Sequence, residues 1–181
     1  MKKIFLILIL SSLSIAFTNA QVKKYEAVKK ESYLIYHLKH LFHEVEARSD
    51  SGQCMLDVDP VKKELQHVEV KVDVTSFDSG NSNRDSHAME VIDAMSYPDA
   101  HFVSSSLYNS GDTLKVAGKM TFHGITRDIT LNAFPTWSAG KLVVKGNFDL
   151  SLTEFQVERP SLLGIKVEDL LKFEFLESFN I

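Results

Sequence analysis

The chain has one cysteine, one tryptophan, four prolines and eight glycines in 181 residues. A lone Cys54 excludes an intramolecular disulfide framework and any cysteine-rich zinc ribbon. The scarcity of Gly and Pro, without a fixed repeat, excludes collagen-like and low-complexity classes. Basic charge is also short, with 20 Lys+Arg against 24 Asp+Glu and a net charge of −4. Nucleic-acid binding depends on a clustered basic surface, so no nucleic-acid partner is expected. No uninterrupted apolar run reaches the ~20 residues that a membrane-spanning helix needs. What the chain does have is apolar bulk. Hydrophobic residues make up 44% of it, with 12 Phe and 5 Tyr, enough for a sizeable core and too much for intrinsic disorder. The length fits one domain.

Lys2 and Lys3 open the chain, and an apolar stretch from Ile4 to Phe17 is broken by Ser11, Ser12 and Ser14. Thr18-Asn19-Ala20 then supplies a small-x-small site before Gln21. These are the three parts of a secretory signal peptide. The expected division is 1–20 signal peptide and 21–181 a single β-barrel domain, periplasmic or secreted after cleavage. No cysteine stands near the site, so a lipoprotein anchor is not indicated. Losing residues 1–20 removes two lysines and no acid, leaving a surface that anionic headgroups do not attract. No stable membrane insertion is expected, and a homodimer is left open.

Period two dominates the remainder. Val68, Val70, Val72 and Val74 oppose His67, Glu69, Lys71, Asp73 and Thr75. Over 113–123, Leu114, Val116, Gly118, Met120 and Phe122 oppose Lys115, Lys119 and His123. Ile129, Leu131 and Ala133 share one side of the next stretch. Over 141–152, Leu142, Val144, Gly146, Phe148 and Leu150 oppose Lys141, Lys145, Asn147 and Asp149. Leu171, Phe173 and Phe175 alternate with Lys172 and Glu174. Weaker patterns place strands at 32–40, 47–58 and 100–108. Turn residues at Asn109-Ser110-Gly111-Asp112, Gly124-Ile125-Thr126 and Ser138-Ala139-Gly140 make short links, which favour antiparallel neighbours. Between 81 and 97, Asn83 is a cap for a short helix carrying Ala88, Met89, Val91, Ile92 and Met95 on one face, ended before Tyr97-Pro98. About eight one-sided strands hide their faces and edges best in a closed barrel. The expected fold is all-β, an eight-stranded antiparallel barrel with a short helical insertion. A two-sheet sandwich is the competitor.

The chain carries no G-x-S-x-G elbow, no P-loop and no G-x-G-x-x-G, so no enzyme class is nominated. His123 and His87 are the candidate bases if a barrel enzyme is entertained. Glu44/Glu46 and Glu168/Asp169 sit in polar segments. His37, His40 and His43 are spaced by three, which puts adjacent members on opposite faces of a strand; no metal site is expected. Cys54 shares parity with Gly52, Leu56 and Val58 and reads as a small buried side chain. The inward faces carry no obvious ionisable residue. Among them Gly118, Ala133 and Gly146, with Ser104 and Ser106, are small and hint at interior space. Lipid cavity and plain packed core are otherwise written in the same letters.

Four stretches, in this order and covering nearly all of 21–181, resemble the YceI-like family. They are Tyr36-His37-Leu38-Lys39-His40-Leu41 with Leu56-Asp57-Val58-Asp59-Pro60; Asn83-Arg84-Asp85-Ser86-His87 followed by Met95-Ser96-Tyr97-Pro98 and Phe102-Val103-Ser104-Ser105; the long run from Val116-Ala117-Gly118-Lys119 to Ile129-Thr130-Leu131; and Arg159-Pro160-Ser161-Leu162-Leu163-Gly164-Ile165-Lys166. The run at 41–48 departs from the G-x-F turn common in the family. The resemblance implies a lipocalin-like antiparallel barrel with a long apolar tunnel that holds a polyisoprenoid, an isoprenoid quinone or another amphiphilic lipid. It implies a binding protein rather than an enzyme, with no cofactor beyond the lipid. The wall would comprise Val70, Val72, Leu114, Val116, Met120, Phe122, Leu131, Val144, Phe148, Phe173 and Phe175, with Arg84 and His87 at the mouth. A ligand-free interaction domain with a filled core is the alternative.

Overall fold

A computed structural model describes residues 21–181 apart from 42 and 163, so the expected signal peptide lies outside the described residues. The strands are β1 (Lys23–Glu26), β2 (Tyr33–His40), β3 (His43–Ser49), β4 (Gln53–Asp59), β5 (Glu64–Asp73), β6 (Asp99–Ser110), β7 (Thr113–Phe122), β8 (Ile125–Ser138), β9 (Lys141–Ser151), β10 (Ser161–Leu162), β11 (Ile165–Lys166) and β12 (Leu170–Asn180). One helix, α1 (Ser82–Val91), follows β5. Ten strands form a single sheet in the order β1-β4-β5-β6-β7-β8-β9-β12-β2-β3, and β10 and β11 form a separate small hairpin.

The sheet is antiparallel throughout and strongly curled. Strands far apart in its order, such as β2 and β4, therefore turn their apolar faces to one interior. This corrects the expectation of eight strands in a closed barrel. The edge strands β1 and β3 make no ladder with each other. Instead, Arg48 of β3 exchanges two backbone hydrogen bonds of 2.9 Å with Asp78, just after β5. At the other end β2 has stopped at Tyr33, and the Val28 amide donates to the Ser178 carbonyl of β12 at 2.7 Å. One extra strand is β1, which pairs with β4, and the other arises where Asp50-Ser51-Gly52 interrupts the expected 47–58 strand. Arg48 Nε donates to Asp50 Oδ1 across that turn at 2.7 Å, and the chain folds back as two strands.

The alternation that predicted the strands is visible as burial. In β9, Leu142, Val144, Gly146, Phe148 and Leu150 are buried while Lys145, Asn147 and Asp149 are exposed, as expected of a sheet with one wet face. The β7–β8 turn is His123-Gly124, with φ of 49° and 70°, the positive pair that two-residue hairpins of type I′ require. The turn thus falls one residue earlier than expected. Asn81, not Asn83, caps α1: its Oδ1 accepts from the Arg84 amide at 3.1 Å, the third residue of the helix, which is the usual reach of a cap. The helix ends at Val91, and Asp93 turns left-handed at φ 46°. Met95 therefore leaves the apolar face and is 98% exposed.

Candidate functional site

The curled sheet and α1 enclose a cavity of about 200 Å3 whose wall is almost wholly carbon. Of the residues expected to line it, Val70 and Val72 come from β5, and Val116, Met120 and Phe122 from β7. Leu131 comes from β8, Val144 and Phe148 from β9, and Phe173 and Phe175 from β12. Leu114 does not reach the cavity; it sits near the start of β7 opposite Ala133 and packs on the core from outside the lining. Arg84 and His87 lie in an adjoining groove of about 390 Å3 between α1, β2 and β10. Leu38 and Pro160 line both spaces, so the groove adjoins the cavity at the α1 end.

At that end an aromatic group forms the wall. Phe148 and Phe173 stack with centroids 4.6 Å apart, and Phe77 packs 5.2 Å from Tyr36, geometries that add modest attraction to area burial. Ala88 and Met89 of α1, with Ile92 just past its end, line the cavity with them. Burial raises the Tyr36 hydroxyl above its ordinary value, with the Asp85 carboxylate adding to the effect. Arg84 is occupied locally: Nε donates to Ser79 Oγ at 2.8 Å and Nη2 to the Ser79 carbonyl at 2.6 Å. Asp85 accepts from the same Ser79 hydroxyl and amide.

Most of the small inward residues do not make the space. The ring of Phe102 lies where a Cβ on Gly118 would go, at 2.6 Å, and the ring of Phe175 lies at 2.1 Å from that position on Gly146. Aromatic rings thus roof both glycines. Ser104 bonds the Val68 amide at 2.8 Å, and the register shifts between Ser104 and Ser106, turning Ser106 to solvent. The expectation that these positions leave volume is therefore overturned at Gly118, Gly146, Ser104 and Ser106, while Ala133 does line the cavity.

Sequence reasoning also missed Glu177. It sits on the inward parity of β12 with Phe173, Phe175 and Phe179, lines the cavity, and is 8% exposed. The inward faces therefore do carry an ionisable residue, and continuing the alternation two places past Phe175 finds it. Burial lifts its carboxyl from the ordinary 4.5 to about 7, with the nearby Ser32 hydroxyl drawing it back in part. Its Oε2 has no hydrogen-bond partner among the described residues. Cys54 also lines the cavity; burial and then the Glu177 charge push its thiol well up. It is small and buried, as expected.

The histidines are scattered. His37 Nδ1 lies 3.8 Å from Glu44 and from Glu46, and His40 Nε2 donates to the Ile165 carbonyl at 3.0 Å. The side chain of His43 lies outside what is described. His123 Nδ1 donates to the Phe155 carbonyl at 3.0 Å, and His87 lies 3.7 Å from Glu90 on the face of α1. Among the described residues no group of three His, Cys, Asp or Glu is placed to hold a metal.

A curled antiparallel sheet around one apolar cavity, capped by a short helix, defines a cavity-bearing barrel-like β-protein. The YceI-like domain family matches residues 25–177, and the chain belongs to that family. A UPF0312 protein of Pseudomonas putida is 27% identical over 174 residues, covering 88% of this chain and 90% of the relative. The crystal structure of Burkholderia cenocepacia BcnA superposes with a TM-score of 0.75 at 22% identity, covering 84% of this chain and 98% of that one. A polyisoprenoid binding domain from Saccharophagus degradans superposes at 0.63 with 14% identity, covering 88% and 99%. At these identities the structural likenesses speak for the fold.

Proposed function

We propose that the chain is an exported lipid-binding protein that holds an isoprenoid-like or other long-chain amphiphile in the cavity, for sequestration or transport through an aqueous compartment. Residues 1–20 direct export, and 21–181 are the binding domain, periplasmic or secreted. The observation that carries this reading is the carbon-lined cavity, with a groove that holds Arg84 and His87 beside it. The likeness to a polyisoprenoid binding domain supports it.

The mechanism is partitioning. Each buried CH2 contributes ~0.8 kcal/mol, so several isoprene units offset the cost of ordering the chain. The cavity, at about 200 Å3, is smaller than the ~300–1,000 Å3 of common ligand sites. Met89 and Met120 in its wall are unbranched and adaptable, and they are the side chains that yield to a longer occupant. The ring-filled glycine sites favour a second reading, a ligand-free interaction domain with a packed core.

Incubating delipidated protein with vesicles containing a labelled isoprenoid alcohol, then separating the two by size, decides between these readings. Label co-eluting at about one molecule per chain is expected. A folded protein that elutes without label returns the packed-core domain to first place.

A further inference from the structure

We propose that Glu177 is a polar subsite inside the cavity that receives a neutral hydrogen-bonding head group, an alcohol in the simplest case, so that the amphiphile enters head first with its tail toward α1. This rests on the carrier reading and deepens it by naming the head chemistry.

Four observations carry it. Among the described residues Glu177 and Asp85 are the two carboxyls in the lining, and Asp85 is already bonded to the amide and hydroxyl of Ser79. Glu177 has Oε2 buried without a partner. It stands four residues beyond Phe173 on β12, ~13 Å along the strand from the aromatic group beneath α1. Phe179, two residues further on, also lines the cavity and is buried. The carboxyl therefore stands toward the end of the cavity remote from α1.

A buried polar atom without a partner is a standing cost, and a ligand group that completes its hydrogen bonding recovers that cost on binding. A protonated carboxyl both donates and accepts, as a hydroxyl does. Burial keeps Glu177 largely protonated below about pH 7. A phosphate head brings negative charge to a carboxyl in an apolar wall, which both desolvation and like-charge repulsion oppose. Cys54 of β4, whose thiol is raised in part by the Glu177 charge, brings no positive charge to offset it. Arg84 in the groove is engaged with Ser79, and Arg159 beside it with the Val167 carbonyl.

The test compares farnesol, farnesene and farnesyl monophosphate at pH 6 by displacement of a fluorescent lipid from the folded protein. Wild type is expected to bind farnesol about tenfold more tightly than farnesene, the scale of one recovered buried hydrogen bond. Glu177→Leu removes that preference while keeping farnesene binding. Glu177→Gln, which keeps a donor and an acceptor, retains the preference and covers the case of a Leu variant that does not fold. Equal affinities in wild type, or a preference untouched by Glu177→Leu, overturn the subsite and leave the carrier reading standing. Tighter binding of the phosphate than of the alcohol also overturns it. Failure of all three probes to bind removes the carrier reading, and the subsite with it.

Discussion

Replacing Glu177 by glutamine isolates the cost of holding a carboxyl in the cavity. Burial lifts its pKa from 4.5 to about 7. An acid with a raised native pKa is protonated more fully in the folded state than in the unfolded one. The stabilisation linked to that proton is therefore complete below about pH 4.5, falls as pH rises through about 7, and is gone above it. At 1.36 kcal/mol per pH unit, the displacement corresponds to about 3 kcal/mol as an upper bound. Glu177→Gln carries no such linkage, so the variant gains on wild type by up to about 3 kcal/mol between pH 4.5 and pH 8.5. For a chain of this size that is roughly 6–12 °C in melting temperature. Urea unfolding of both proteins at several pH values reads the difference. Other titrating groups cancel in it, including Glu31, whose carboxyl is held below its usual range by Lys141 and Ser178. Parallel stability curves for the two proteins across that range would refute the placement of the carboxyl in an apolar wall.

Gly146→Ala puts a Cβ 2.1 Å from the Phe175 ring and 2.3 Å from the Asn132 carbonyl; a loss of about 2 kcal/mol or more is expected in thermal melts, against a near-neutral Gly52→Ala, where nothing lies within 4 Å. Cys54, buried and with its thiol pushed well up, should react with a thiol reagent only as fast as the chain unfolds; rapid labelling of native protein contradicts the packing around β4. Val116→Asp puts a carboxylate into the cavity wall and should abolish lipid uptake in the folded fraction; unchanged uptake removes Val116 from the wall. Asp59 is fully buried, with Oδ1 accepting from the amides of Val61 and Lys62 at 3.1 and 3.0 Å; Asp59→Ala should cost about 1–3 kcal/mol in urea unfolding.

The strands with strict alternation were legible because period two and one wet face leave a plain signature: β5, β7 and β9 fall within three residues of expectation at each end. The strand count was not. Whether Asp50-Ser51-Gly52 bends a strand or divides it depends on tertiary contacts, here the pairing of β3 with β2 and of β4 with β5. The α1 cap was misplaced because Asn81 and Asn83 are both competent caps, and only the helix axis chooses between them. Ten wall residues could be named from parity, yet parity cannot tell a glycine that leaves space from one roofed by a ring. Phe102 and Phe175 approach Gly118 and Gly146 across the sheet, where one strand's pattern carries no information. Glu177 was legible in principle, on the same parity as Phe175. A charged letter in an apolar row reads as the end of the strand unless the row is followed to Phe179.

The most direct measurement is native mass spectrometry on the protein expressed with residues 1–20 and recovered from the extracytoplasmic fraction, followed by denaturing extraction. A chain shortened by those residues, carrying a discrete apolar adduct that is released on unfolding, is the predicted result. A bare chain that also refuses isoprenoid alcohol supplied from vesicles would contradict the carrier account.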